Sequence, residues 1–283
     1  MNAHIVLVEC DDTKGLIHKI TGVLFELGCN IENQDEFVDK EANRFFMRTE
    51  LTGLANCDEL APRLLSILPC DASVRVVKKR KKRIAVLGSL EPHCIGDLLI
   101  RHKYGELQAD IEMFISNHES LGELAEKFGI PFYYVPDKDV AGQSLNRLEH
   151  ETELLKILEL ANLDYIVLAK YMRILTPDFV SKFENKMVNI HHSFLPAFIG
   201  ANPYKRAFER GVKIIGATAH FVTADLDCGP IIAQGIVRIN HAKGVKEMVQ
   251  QGRNVEKIVL AEALRLVFAD RVFVHRNRTI IFD

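Results

Sequence analysis

Apolar residues in the first part of the chain follow two alternating spacings. Runs typical of strands occupy residues 4–9, 30–38, 43–51 and 72–77. Helical spacing occurs at residues 14–28 and 57–68, and Gly28 is a natural C-cap for the first of these helices. The order strand, helix, strand, strand, helix, strand predicts a ferredoxin-like βαββαβ domain.

Beyond this region the apolar runs become short and nearly continuous, as in parallel strands that are buried on both faces. Five such runs lie at residues 83–89, 110–116, 132–135, 164–170 and 186–192, and two more at 214–222 and 230–239. Helical patterns separate them, the clearest at residues 144–162, and a long one follows at 245–270. The pattern predicts an open, Rossmann-like doubly wound α/β domain with a terminal hairpin over residues 271–282.

The sequence KKRKKR, Lys78–Arg83, separates the two patterns. Six like charges in a row indicate a solvated linker rather than the interior of an element. The run has no interleaved aromatic residues and no basic neighbours, which argues against a nucleic-acid patch. We therefore predict a first domain at 1–79, a basic linker at 80–84 and a second domain at 85–283.

Composition argues against several classes of protein. The chain has 283 residues, is 48% hydrophobic and carries a net charge of −2, so it can bury substantial cores and has no field that would attract nucleic acid or anionic membranes. No apolar stretch approaches the ~20 residues of a membrane span, and the N-terminus lacks the features of a signal peptide. Its six cysteines form no Cys-x-x-Cys pair. These features predict a cytoplasmic protein with reduced thiols.

The polar residues of NIHHSFLPAF, which starts at Asn189, end an apolar run. On a strand, Asn189 and His191 point to one face and His192 to the other. Pro196 prevents the strand ladder from continuing and turns the backbone. The segment therefore predicts a strand that places an amide and an imidazole at the rim of the sheet.

A second polar group follows the next predicted strand and contains His220, Asp225 and Asp227. Ligands of such sheets bind outside the carboxyl ends of the strands, so the two groups could converge. An amide stabilises an oxyanion, an imidazole moves protons near neutral pH, and a carboxylate holds a water molecule or tunes the histidine. From pattern alone, polar caps on adjacent loops are the competing interpretation.

Other chemistries fit the sequence less well. Adjacent histidines on a strand face opposite ways, which disfavours a zinc site built from His191, His192 and His220. No Gly-x-Ser-x-Gly elbow is present. The segment GSLEPHCIGD after the first strand of the second domain lacks both a dinucleotide fingerprint and a glycine-rich phosphate nest.

The segment from NIHH to IIAQ, residues 189–234, resembles the catalytic core of the folate-dependent formyltransferases. It contains Asn-x-His, Leu-Pro and then His…Leu-Asp-x-Gly-Pro-Ile-Ile-x-Gln in the order of that superfamily, and LAKYMRIL at 168–175 resembles its folate loop. The resemblance implies that Asn189, His191 and Asp227 are catalytic. It also implies a folate-binding set formed by Met172, Arg173, Leu175, Val222 and Leu226.

Four features resemble one subgroup, the formyltetrahydrofolate deformylases: the missing phosphate nest, His192 where the transformylases usually have proline, the tail at residues 270–282, and the ACT-like first domain. The resemblance implies hydrolysis of 10-formyltetrahydrofolate to formate and tetrahydrofolate, in one-carbon metabolism and purine biosynthesis. Water is then the nucleophile, folate is a substrate rather than a cofactor, and no metal is expected. His192 has either a structural role in holding the next loop or a functional role in positioning the water.

Two other functions stay open from the sequence. One is formyl transfer to an unphosphorylated amine, and the other is a non-catalytic regulator that binds folate or an amino acid. An ACT-like domain further implies a homo-oligomer, a dimer of dimers. It also implies an amino-acid effector site at Asp12, Gly15, Leu16 and Asn30.

Overall fold

The structure is a computed structural model that describes residues 3–137, 146–196 and 203–283. The chain divides into two compact units. The first unit contains the chain up to Arg80 together with Ala269–Phe273 and Phe282–Asp283, and the second contains Lys81–Phe268 and Val274–Ile281. Parts of two sequence features lie outside the described residues: positions 144–145 of the predicted helix, and 197–202 of the segment that resembles the formyltransferases.

The first unit is built around an antiparallel sheet of four strands. Its elements are β1 (His4–Asp11), α1 (Leu16–Glu26), β2 (Asn30–Asp39), β3 (Arg44–Thr52), α2 (Cys57–Ile67) and β4 (Ser73–Lys78). The strand order is β2-β3-β1-β4, and β1 pairs antiparallel with both β3 and β4. This arrangement confirms the predicted ferredoxin-like fold.

One apolar core holds the first unit together. Ile20 and Leu24 of α1 pack with Leu60 and Leu64 of α2 and with Met47 of β3, and all five are fully buried. The apolar positions of both helices repeat at helical spacing, so each helix presents one stripe to the sheet. The sheet and helices therefore form the two layers that the sequence pattern predicts.

A buried arginine ties residues from the end of the chain into the first unit. Arg48 in β3 is 2% exposed and donates to the backbone oxygens of Asp270 at 3.1 Å and Ala269 at 3.0 Å. A buried guanidinium needs such acceptors because it loses its hydration. Phe273 adds an edge contact to Phe46, with ring centroids 5.5 Å apart. The sequence predicted that the second domain extends to residue 283, but in the structure Ala269–Phe273 and Phe282–Asp283 belong to the first unit.

The second unit is built around a mixed sheet of seven strands. Its strands are β5 (Lys82–Gly88), β6 (Ala109–Ser116), β7 (Phe132–Tyr134), β8 (Tyr165–Leu168), β9 (Met187–His191), β10 (Ile214–Phe221) and β11 (Ile231–Arg238). Its helices are α3 (Pro92–Lys103), α4 (Gly122–Lys127), α5 (Arg147–Leu158), α6 (Pro177–Ser181), α7 (Pro203–Arg210) and α8 (Val245–Phe268), with a 3₁₀ turn at Glu119–Leu121. The predicted α/β class is confirmed, and the terminal hairpin forms as β12 (Val272–His275) and β13 (Arg278–Ile281).

Strand direction within this sheet decides where the polar groups meet. The strand order is β11-β10-β9-β8-β5-β6-β7. The strands from β9 to β7 are parallel, whereas β10 runs antiparallel to β9 and β11 antiparallel to β10. The carboxyl end of β10 therefore lies beside the start of β9, so a loop must return along the sheet to bring later residues to the end of β9.

The predicted basic linker is shorter than expected. β4 ends at Lys78, and β5 already begins at Lys82, which is only 4% exposed. Only residues 79–81 separate the two strands. The apolar run that follows extends its ladder back into the charged segment, since Lys82 pairs with Ala109 in β6. Within the described residues, no helix is both long enough and apolar enough to cross a bilayer.

We expect Arg48→Met to lower the free energy of unfolding by roughly 2–4 kcal/mol, because two backbone oxygens lose their charged donor. Urea unfolding followed by circular dichroism measures this change. Arg63→Met is the matched control: Arg63 is 44% exposed and pairs with Glu59 in the same helix at 3.0 Å. Removing that exposed pair should cost less than about 0.5 kcal/mol. Equal losses in the two variants would contradict the role of Arg48.

Candidate active site

The end of β9 and its partner β10 carry three of the polar side chains. Asn189 and His191 alternate with the buried Ile190, as the sequence pattern predicts. In the antiparallel register His220 of β10 lies directly opposite Asn189. His220 is 2% exposed, so this strand pair holds an imidazole inside the sheet beside the amide. The sequence showed His220, but it did not show that His220 would face Asn189.

The loop between β10 and β11 returns to the site and carries Asp227. Phe221 donates from its backbone nitrogen to the oxygen of Pro230 at 2.9 Å, which closes the base of the loop. A Cβ at Gly229 would lie 1.8 Å from the Phe221 oxygen, so only glycine fits there. Asp227 itself has a φ of 54°. Asn277 of the terminal hairpin donates to the backbone oxygen of Cys228 at 2.9 Å and supports the same loop.

Asp227 lies between two imidazoles. Its Oδ2 is 3.2 Å from Nδ1 of His191, and its Oδ1 is 3.6 Å from Nε2 of His220. Burial alone would raise the pKa of Asp227, but the hydrogen bond from His191 and the electrostatic interactions with both rings hold it well below its ordinary value of 3.8. The carboxylate is therefore ionised at all ordinary pH values, and it orients the rings on either side.

His220 in turn orients Asn189. Nδ1 of His220 lies 2.8 Å from the backbone oxygen of Phe221, and a carbonyl only accepts, so Nδ1 carries a hydrogen. The Asn189 amide nitrogen is 3.2 Å from Nε2 of His220, which accepts one amide hydrogen. The second amide hydrogen of Asn189 stays available to a ligand. His220 is thus a positioning residue for Asn189.

The remaining ring nitrogen of His191 is the clearest sign of a ligand site. His191 Nε2 is buried and has no hydrogen-bond partner within residues 3–137, 146–196 and 203–283. An unsatisfied buried nitrogen costs free energy unless a ligand or water satisfies it. Since Nδ1 faces Asp227, the ring is fixed with Nε2 directed away from the carboxylate.

His192 does not behave as the alternation of a strand predicts. β9 ends at His191, so the next side chain is not forced to the opposite face of the sheet. The two rings stack with centroids 4.8 Å apart and an angle of 25° between their planes. His192 consequently lines the same pocket as Asn189 and His191.

A pocket of about 520 Å³ collects the predicted site residues of the second unit. It is lined by the predicted catalytic and water-positioning residues Asn189, His191, His192 and Asp227, and by the predicted folate-binding residues Met172, Arg173, Leu175, Val222 and Leu226. Volumes of this order suit a small-molecule ligand. Met172 is 62% exposed and Leu226 54% exposed, so the apolar part of the pocket offers surface for a flat ring system.

Hydrogen bonds from neighbouring elements fix the segment that follows β8. Met172 donates from its backbone nitrogen to the hydroxyl of Ser89 at 3.0 Å, and Arg173 pairs with Asp137 at 3.1 Å. The Tyr171 hydroxyl lies 2.6 Å from Nε2 of the buried His150. These contacts hold one wall of the pocket in place before any ligand binds.

A buried charged cluster next to His192 escaped the sequence analysis. Glu256 of α8 is 1% exposed and interacts with Nε2 of His93 at 2.7 Å, the Tyr204 hydroxyl at 2.6 Å and Nζ of Lys170 at 3.4 Å. Burial would raise the pKa of Glu256, but these partners lower it from 4.5 to about 2. The members lie far apart in sequence, and no local pattern joins them.

Part of this cluster has the composition of a metal site. The donor atoms of His93, Cys94 and Glu256 lie within 4.8 Å of one another. Burial, and then the charge of Glu256, raise the pKa of the Cys94 thiol, which opposes the thiolate that a metal requires. Both Glu256 oxygens already have partners, and one of these is a lysine ammonium. We therefore interpret the cluster as a charge network of the protein.

The predicted effector residues lie in the first unit. Gly15 has a φ of 86° and precedes α1, and the Asp12 backbone nitrogen donates to Asn43 at 2.9 Å. Asn30 is exposed, and its amide contacts Glu32 at 2.8 Å. Leu16 is 2% exposed in the apolar core, so its side chain is not available to an effector and only its backbone could take part.

Comparison with known proteins defines the class of the second unit. A family model described as formyl transferase matches residues 82–264. The structure is also similar to the crystal structure of glycinamide ribonucleotide transformylase 1 from Symbiobacterium toebii, with a TM-score of 0.66 and 31% identity over 71% of this chain and 94% of that chain. The class of protein is therefore established by a match across more than half of the chain.

Full-length comparisons are more specific. The formyltetrahydrofolate deformylase of Haemophilus influenzae is 47% identical over 277 residues, which are 98% of this chain and 98% of that protein. The crystal structure of a formyltetrahydrofolate deformylase from Pseudomonas syringae pv. tomato has a TM-score of 0.93 and 38% identity, and the match covers 100% of this chain and 95% of that chain. The chain belongs to the formyltetrahydrofolate deformylase family.

We expect Glu256→Gln to lower the free energy of unfolding by about 3 kcal/mol at pH 7, because Lys170 stays buried without its anion. The folded-state pKa of Glu256 is depressed from 4.5 to about 2, so its charge stabilises the fold above pH 4.5 and that contribution is lost as the pH falls towards 2. Urea unfolding at pH 7 and pH 3.5 should show the difference between wild type and variant shrink by about 1 kcal/mol or more. A difference that grows at pH 3.5 would contradict this assignment.

Proposed function

We propose that the protein hydrolyses 10-formyltetrahydrofolate to formate and tetrahydrofolate. The observation that carries this proposal is the buried Nε2 of His191, which has no partner among the described residues and lies in one pocket with Asn189 and Asp227. The relatives that match the full length of the chain are named formyltetrahydrofolate deformylases. Substrate and reaction class both follow from this match and from the chemistry of the pocket.

The polar groups fit the charge that develops during attack on a formyl carbon. Water adds to that carbon, and the carbonyl electrons move to the oxygen, which becomes an oxyanion. Asn189 donates its second amide hydrogen to the oxyanion, and His191 Nε2 donates to the oxyanion or protonates the leaving nitrogen. Two donors fixed in advance need no reorganisation when the charge appears.

Asp227 has a more limited role than the sequence suggested. The sequence predicts that this carboxylate either holds a water molecule or tunes the histidine. Both of its oxygens face imidazoles, and these interactions keep it ionised. We propose that Asp227 holds His191 and His220 in place and stabilises the positive charge that His191 carries when it donates through Nε2.

The apolar wall of the pocket would hold the pterin ring. Met172, Leu175, Val222 and Leu226 supply contact surface, and Arg173 is fixed by Asp137. We also predict that this reaction requires no separate cofactor or metal. Formyl transfer to an unphosphorylated amine is the alternative in the same class of chemistry, and a non-catalytic folate-binding regulator is the alternative outside it.

For the first unit we propose an ACT-like regulatory role. Its edge strand β2 exposes Phe37 and Ile31 at 43% and 36%, and an uncovered edge favours pairing with another copy of the unit. Homo-oligomerisation as a dimer of dimers and an amino-acid effector near Gly15 and Asn30 are parts of this proposal. A place in purine biosynthesis and a cytoplasmic location likewise remain predictions.

Purified protein should release formate from 10-formyltetrahydrofolate without any added amine, because water is the acceptor. Formate release and tetrahydrofolate formation should occur in equal amounts. Asp227→Asn should lower kcat by about 10²–10⁴-fold, since the ring of His191 loses its charged partner. Release that depends on an added amine would favour the transferase, and tight folate binding with no turnover would favour the regulator. Near-normal turnover by Asp227→Asn would remove the role proposed for this carboxylate.

A small amino acid should bind the full-length protein and change its turnover of 10-formyltetrahydrofolate. Titration calorimetry against the common amino acids measures binding, and the formate assay with and without each amino acid measures the response. Heat from one amino acid together with altered turnover would support regulation. If no amino acid gives heat and none changes turnover, the first unit has a structural role only.

A further inference from the structure

The His192 ring is flanked by two pairs of polar residues, and its predicted role in positioning the water can be made more specific. On one side its ring stacks on His191, next to Asp227. On the other side the Tyr204 ring lies 6.3 Å away, hydrogen-bonded to Glu256. No hydrogen bond joins the His192 ring to a residue in 3–137, 146–196 or 203–283. Its nitrogens are therefore not committed to the described part of the protein.

The fold holds Lys170 in the pocket that His192 lines. Lys170 lies two residues beyond the end of β8 and has a φ of 64°, a left-handed conformation that is uncommon for a residue with a side chain. Its backbone oxygen accepts from Ser89 at 3.2 Å. Lys170 is 5% exposed, and its ammonium is 3.4 Å from Glu256. A buried cation of this kind is stable only with its anion, so the two residues act as a pair.

Charged or titratable groups from five segments surround or act on His192. These groups are His191 from β9, Lys170 after β8, Asp227 from the β10–β11 loop, Glu256 from α8 and Tyr204 from α7. Burial, then Lys170 and His191, lower the pKa of His192 from 6.5 to about 4, while the two carboxylates act in the opposite direction. The Lys170 ammonium in the same pocket, and the lack of an acidic hydrogen-bond partner for the ring among the described residues, agree with this direction.

We infer that Lys170 and Glu256 are positioning residues that hold His192 unprotonated in the pocket, where its imidazole takes the proton of the attacking water. This inference rests on the proposed hydrolysis and deepens it. The water oxygen bonds to the formyl carbon while its proton moves to His192. The carbon–nitrogen bond then breaks, the leaving nitrogen takes that proton from the His192 imidazolium, and formic acid departs and ionises to formate. Atoms and charge balance with water as the only co-reactant.

The arrangement gives the two adjacent histidines different tasks. His191 faces a carboxylate through Nδ1 and offers Nε2 to the substrate. His192 lies near an ammonium and can accept a proton. Pairs of titratable groups in contrasting environments are how active sites separate acid from base. Glu256 fixes the position of the Lys170 ammonium through one carboxylate oxygen, because its other oxygen is held by the Tyr204 hydroxyl.

The test is a titration of the histidine rings by NMR on the full-length protein without substrate, with His192→Gln to assign the His192 signal. In wild type we expect a midpoint well below 6.5. Lys170→Met should raise the midpoint by about one pH unit, and Lys170→Arg, which keeps the charge, should leave it in place. Glu256→Gln removes an anion and should not raise it. The pH at which kcat falls to half of its maximum on the acidic side should move together with the His192 midpoint in each variant.

A merely structural role would not produce this pattern. An ordinary wild-type midpoint would overturn the inference and needs no variant. Equal midpoints in folded Lys170→Met and Lys170→Arg would also overturn it. His192→Gln should lower kcat by about 10²–10⁴-fold with little change in KM. Formate release with an ordinary midpoint would refute this inference alone. A depressed midpoint in a protein that releases no formate would refute the proposed hydrolysis and, with it, the base role.

Discussion

The antiparallel pairing of β10 with β9 is the constraint on which the site depends. It sets His220 opposite Asn189, and it directs the following loop back towards His191. The β10–β11 loop can return only because Gly229 lets its backbone pass the Phe221 oxygen. Sheet topology, more than any single contact, therefore brings an amide, two imidazoles and a carboxylate together.

The sequence predicted the parts of the structure that local pattern encodes. Period-two and helical spacing gave both fold classes, and alternation along β9 placed Asn189 and His191 on one face. The alternation failed at His192, because a strand that ends one residue earlier no longer fixes the next side chain. The linker was overestimated for a related reason. Charge indicates exposure, but a strand ladder can extend into a charged run, as it does at Lys82.

Contacts between distant segments could not be predicted in this way. His93, Tyr204 and Glu256 lie on three helices, and each looks unremarkable within its own helix. Arg48 gives no local sign that it binds two carbonyl oxygens that lie 222 and 221 positions later in the chain. The direction of β10 could not be predicted either, since a short apolar run is compatible with a parallel or an antiparallel strand. The resemblance supplied Asp227, but the geometry around it came only from the fold.

The buried charges near the pocket are better explained by placement than by stability. Removing several ionised groups from water costs free energy that their mutual attraction only partly returns, and an apolar replacement is often as stable. The second unit nevertheless buries Lys170 and Glu256 within contact of each other, with Lys170 in a left-handed backbone conformation. Such an arrangement fixes the position of charge in a region of low dielectric, where its effect on a neighbouring imidazole is large. The arrangement costs folding free energy, and what it provides is an electrostatic environment that solvent could not maintain.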